Sequence, residues 1–244
     1  MLSKEEIVRS VPQKGFLGHP KGLFTLFFTE FWERFSYYGM RAILLFYMYY
    51  AVKDGGLGLD RTQANIIMSL YGSLIYMSGI IGGWIADRIL GTQKSVFYGG
   101  ILIMVGHIVL ALPGGVLALY GSMALIIIGT GLLKPNVSSV VGDMYSANDA
   151  RRDAGFSIFY MGINMGAFVS PLIVGWTKEQ WGFHVGFAVA AVGMLIGLIV
   201  FVLSKKNLGL AGSQPTNPLQ PGEGKRLTKI FGLSVVVIAV LGVI

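Results

Sequence analysis

Seven long apolar runs constrain this chain more than any other feature. They cover roughly residues 23–52, 62–87, 95–112, 116–142, 155–176, 183–204 and 227–244. Each offers close to the ~20 mainly apolar residues that a helix needs to cross the hydrocarbon of a bilayer. Composition agrees: 54% of residues are hydrophobic, 13% are charged and mean hydropathy is +0.66, too little polar surface to cover a water-soluble globule. The runs predict an all-α membrane protein. With no cysteine in 244 residues, disulfides, thiol nucleophiles and thiolate metal sites are excluded. No HExxH or GxSxG run is present either, so neither an intramembrane enzyme nor a metal site is expected.

Connectors between the runs are short, except residues 205–226, where Pro215, Pro218 and Pro221 stand among Gly, Ser, Gln and Lys. That is linker composition. The expected organisation is a tail over 1–22, a six-helix bundle over 23–204, a linker over 205–226 and the start of a further membrane helix over 227–244. The tail lacks the short apolar core of a cleavable signal, so the first span is expected to direct its own insertion. Of 19 Lys and Arg, Arg34, Arg41 and Lys134 fall within spans, and Lys53, Arg61 and Lys178 fall in the connectors of one side. The other thirteen lie on the opposite side, which predicts a cytoplasmic N-terminus and linker in a multi-pass cell-membrane protein. This distribution also accounts for the net charge of +7 as topology, with no nucleic-acid partner implied. The chain reaches Ile244 inside an apolar run, from which we expect a truncated chain. Two three-helix repeats would enter the membrane from opposite sides, making the first and fourth spans equivalent.

Ionisable groups at membrane depth are costly and point to function. Five occur: Glu30, Glu33, Arg34, Arg41 and Lys134. Positions 30, 33, 34, 37 and 41 share one helical face, with Tyr37 and Tyr38 beside the charges. At ~1.5 Å per residue, Glu33 lies about 15 Å in from the cytoplasmic end, Lys134 about 12 Å, Asn164 about 13 Å and Tyr76 about 16 Å. Four helices thus place polar groups near the midplane, where transporter sites occur. A single pair, Glu33 with Lys134 or Glu30 with Arg34, is also consistent with a structural link between helices. Five charges exceed that need, and the functional reading is preferred, with Glu33 and Lys134 expected to approach each other. Gly129 and Gly131 before Lys134-Pro135 suggest a bend, a small-residue packing face, or both. His107 and His184 read as packed, hydrogen-bonded side chains.

The run Thr29-Glu30-Phe31-Trp32-Glu33-Arg34-Phe35-Ser36-Tyr37-Tyr38-Gly39 resembles the ExxERFxYYG motif of the proton-dependent oligopeptide transporters, a branch of the major facilitator superfamily. GGWIADRILG over Gly82–Gly91 resembles the family's first signature, and FYMGINMGA over Phe159–Ala167 its second. The resemblance implies the major facilitator fold and import of di- and tripeptides by proton symport. The coupling ion is then a proton, with no other cofactor. It implies proton-coupling roles for Glu30, Glu33, Arg34 and Lys134, and a peptide site lined by Arg34, Tyr37, Tyr38, Arg41, Tyr76, Lys134 and Asn164. Gly82, Gly83, Asp87, Arg88, Gly91 and Pro135 would be structural or gating positions. Bacterial members insert two extra helices between their halves, and 227–244 would match the first. The partners implied are the peptide, the lipid bilayer and the absent C-terminal half. Transport of nitrate or another small anion, as in some relatives, is the nearest alternative, and a receptor without turnover is a more distant one.

Overall fold

A computed structural model describes residues 2–220 and 222–224. Its helices are α1 (Lys4–Ser10), α2 (Gly22–Tyr49), α3 (Arg61–Ile85), α4 (Thr92–Ala111), α5 (Gly115–Asp143), α6 (Arg152–Trp181) and α7 (Phe183–Ser204), with no strand among the described residues. The expected helix over 227–244 lies outside them.

Local chemistry sets the ends. Ser3 and Glu6 form a reciprocal capping box on α1, and Asp60 accepts from the Thr62 and Gln63 amides at the start of α3. Gly91, at φ 79°, allows the sharp turn into α4 after a π-helical stretch over Ala86–Leu90, and Gly182, at φ 88°, does the same between α6 and α7. Five spans (α3 with its π-helical extension, α4, α5, α6 and α7 with its terminal turn) are long and apolar enough to cross a membrane. α2 is equally long at 28 residues but carries four charges. Its length, about 42 Å, suffices to span a bilayer, and it packs within the bundle of the other five.

The helices interlock as two inverted repeats, α2–α4 and α5–α7. α2 packs chiefly on α6 and α7, while α5 packs chiefly on α3 and α4, so the leading helix of each repeat lies against the other repeat. α2 and α5 therefore take matching places in the packing pattern. Glycines permit the closest crossings. A side-chain carbon on Gly82 would lie 1.9 Å from the Gly131 carbonyl oxygen, and one on Gly129 would lie 2.7 Å from the Gly99 carbonyl oxygen. α5 thus uses its glycines as packing faces, and it runs as one helix through Pro135. Asn136 donates to the Leu132 and Gly82 carbonyls, bridging α5 to α3 one residue beyond the proline.

One end of the bundle gathers α1, the α3–α4 and α5–α6 turns and the segment after α7. Here the Thr216 hydroxyl donates to the Asp87 carboxylate, the Asn217 amide donates to the Asp87 carbonyl, and Arg88 pairs with Glu223. Gln93 donates to the Gly209 and Ala211 carbonyls. Gly209, at φ 52°, and Gly212, at φ 68°, turn the chain out of the helical path after α7, and its backbone groups bond to the bundle end instead.

Candidate functional site

The polar face of α2 forms a chain of charges and rings. Glu30, Glu33 and Arg34 are all buried, at 2%, 0% and 4% exposure. The Arg34 Nε lies 3.1 Å from Glu30 Oε1 and also donates to Glu33. One guanidinium therefore serves two carboxylates. The next turn continues outward: the Arg34 guanidinium stands 5.3 Å from the Tyr37 ring centre, and Arg41 donates to the Tyr37 hydroxyl at 3.2 Å. Tyr38 meets Tyr37 edge to face at 5.2 Å. Tyr37 is buried, whereas Arg41 is exposed, so the stripe runs from a dry triad to an open cation.

α6 holds this arrangement from one side. Gly162 faces Phe27, and Gly166 faces the Phe31 carbonyl and Arg34 Cβ, where an added carbon would meet them at 2.3 and 3.2 Å. These two glycines of FYMGINMGA let α6 lie directly against the charged turn of α2.

Lys134 does not meet Glu33. Its ammonium sits 5.0 Å from the Tyr76 ring centre and makes no ion pair among the described residues. The expected approach of Glu33 and Lys134 is not formed, because Arg34 lies on the glutamates' own helix and pairs with one oxygen of each. The alternative pairing of Glu30 with Arg34 is the one formed. Lys134 remains an electrostatic neighbour of Glu30. Tyr76, Lys134, Arg41 and Asn164 are exposed. Among the described residues Asn164 donates to the Tyr160 carbonyl of its own helix and makes no hydrogen bond to an α2 side chain. Of the candidate gating positions, Gly82 is clamped on Gly131 and Gly83 faces open space. Asp87 and Arg88 are tied to residues 216–223, and Gly91 makes the turn.

Two residues depart from the sequence reading. Tyr71 was not singled out, yet its hydroxyl is buried without a partner among the described residues, with Tyr37, Arg41 and Glu33 as electrostatic neighbours. The available signal was a tyrosine in the span that carries Tyr76. His107 was expected to be packed and hydrogen-bonded; it is fully buried, but neither ring nitrogen has a partner among the described residues. His184 does bond, donating through Nδ1 to the Leu110 carbonyl at 3.2 Å.

A membrane bundle of interlocked repeats with a buried acid–guanidinium–acid triad is the architecture of a transporter unit. The POT family (PTR2) sequence model matches residues 93–227, and this chain belongs to that family. It is 63% identical over its whole length to an uncharacterized transporter, YclF, of Bacillus subtilis (strain 168), covering 49% of that protein. It is 49% identical over 233 residues to a di-/tripeptide transporter of Lactococcus lactis subsp. lactis (strain IL1403), covering 94% of this chain and 47% of that one. A crystal structure of peptide transporter POT in complex with sulfate superposes with a TM-score of 0.95 at 68% identity, over 99% of this chain and 49% of that one. A POT family transporter in complex with 5-aminolevulinic acid gives 0.93 at 54% identity, over 96% and 48%. The chain spans about half the length of the curated relatives it matches.

Proposed function

We propose that this chain supplies the proton-coupling half of a symporter that imports di- and tripeptides across the cell membrane, with its N-terminus in the cytoplasm. The observation that carries the reading is the buried triad. Two carboxylates against one guanidinium leave one uncompensated negative charge where charge is costly, and one proton brings the triad to neutrality. The site then needs no cofactor beyond the proton, and the proposed activity is transport rather than catalysis. The relatives named as di-/tripeptide transporters support the choice of substrate.

A peptide is zwitterionic, so its carboxylate needs a cation. Lys134 and Arg41 are exposed and held by ring contacts, ready for that contact without leaving a salt bridge. Protonation of one glutamate neutralises the triad and raises the net charge of the five groups (Glu30, Glu33, Arg34, Arg41, Lys134) from +1 to +2, which favours an incoming carboxylate. Proton uptake and carboxylate binding then favour the same state, which is the linkage a symporter requires. Gripping termini and backbone between adaptable tyrosine walls (Tyr37, Tyr38, Tyr76), with Asn164 as a further polar contact, permits many side chains. Exchange between inward- and outward-open states carries the load.

Uptake of a labelled dipeptide by the full-length protein, including any sequence beyond residue 244, tests this in liposomes. Accumulation that requires an inward proton gradient supports the proposal. Uptake indifferent to the gradient, or uptake of nitrate in place of dipeptide, overturns it.

A further inference from the structure

We propose that the groove between the first turns of α4 and the last turns of α7 binds the headgroup of an anionic phospholipid. The cavity measures about 290 Å³, near the lower end of ligand-pocket volumes, roughly 300 Å³. Lys94 enters it from α4 and Lys205 from the turn after α7. Both are exposed, and neither makes an ion pair or hydrogen bond among the described residues. Among the described residues no acidic side chain lines the cavity. Two cations converging on one cavity without a counter-charge repel each other, and a phosphodiester between them removes that cost.

The rest of the lining distinguishes a lipid from a free anion. Phe97 and Phe201 come from the two helices and stack at 6.5 Å with 20° between their planes, forming an apolar floor directly beside the lysines. Tyr98, 48% exposed, adds an amphipathic ring on the outer side. Lys94 stands two residues inside α4 and Tyr98 six, which places them about 3 and 9 Å along the helix. Cation, aromatic edge and apolar wall therefore follow in the order of phosphate, glycerol and acyl chain at a membrane interface. Gln93, the remaining polar wall, donates to the Gly209 and Ala211 carbonyls and fixes the neighbouring segment at the groove's mouth. This inference requires only that the bundle spans a membrane and is independent of the transported solute.

Native mass spectrometry of the full-length protein, titrated with phosphatidylglycerol, phosphatidylcholine and inorganic phosphate, provides the test. At about 1 kcal/mol per lysine near the surface, a Lys94→Gln/Lys205→Gln variant should bind phosphatidylglycerol about thirty-fold more weakly. Phosphatidylcholine binding should be unchanged, and Lys94→Arg/Lys205→Arg should retain the wild-type preference. Equal phosphatidylglycerol affinity in the Gln variant, or displacement of the lipid by millimolar inorganic phosphate, overturns the proposal. Should the Gln variant fail to fold, the wild type still decides: its phosphatidylglycerol affinity must fall with rising salt while its phosphatidylcholine affinity does not, and salt-independent binding refutes the site.

Discussion

Replacing Arg34 by Met removes the one cation that the two buried carboxylates share and leaves an apolar side chain of similar length. Glu30 and Glu33 are almost wholly buried, so neither can recover its lost partner from solvent. Breaking a buried pair in this way costs about 3–5 kcal/mol. Each kcal/mol shifts the midpoint by about 2–4 °C for 150–250 residues and by about half that for a protein twice this chain's length, which gives a loss of roughly 3–10 °C. The decisive comparison is the charge-free triple variant, Arg34→Met with Glu30→Gln and Glu33→Gln. Replacing every member of a buried ionic cluster is often neutral or stabilising, so the triple variant should recover most of the loss. Thermal unfolding of the full-length protein in detergent, followed by intrinsic fluorescence, reads both. A single variant within about 2 °C of wild type, or a triple variant no better than the single, would refute the shared-guanidinium account.

Other outcomes follow from the same geometry. Gly82→Ala places a carbon against the Gly131 backbone and should destabilise by about 1–3 kcal/mol, whereas Gly83→Ala, facing open space, should be nearly silent in the same unfolding assay. Cysteines introduced at Asn148 and Gly114 should react with impermeant reagent from opposite sides of the membrane, and labelling from one side would overturn the topology. Asp149 has its carboxyl held below the usual range mainly by the Arg151 hydrogen bond. Its contribution to stability is therefore present above about pH 3.9 and lost on acidification through its lowered value, and Asp149→Asn should flatten that acid limb of the unfolding midpoint.

Some of this structure is legible in the sequence because membrane burial imposes one-dimensional rules. Apolar length located the described spans, and α6 continues past its predicted end only through interfacial residues such as Lys178 and Trp181. The helical offsets of Glu30, Glu33, Arg34 and Tyr37 gave a true common face. What spacing cannot supply is the direction in which a neighbouring helix presents its groups. Lys134 and Glu33 share a depth, yet the lysine faces Tyr76 on α3. Tyr71 and Tyr76 differ by five residues, about 140° around the helix, so one is buried beside Tyr37 and the other is open. The seating of residues 209–219 on the α3–α4 turn was likewise hidden, because it depends on backbone groups that composition does not distinguish.

In the proposed cycle the α2 triad carries the proton linkage. Glu33→Gln in the full-length protein isolates that linkage, because the amide fixes the uncharged state while keeping shape. Gradient-driven accumulation of a labelled dipeptide in liposomes should be lost, while counterflow, which exchanges labelled for unlabelled peptide without net proton movement, should persist. Full gradient-driven accumulation by Glu33→Gln would contradict the account and assign Glu33 a structural role.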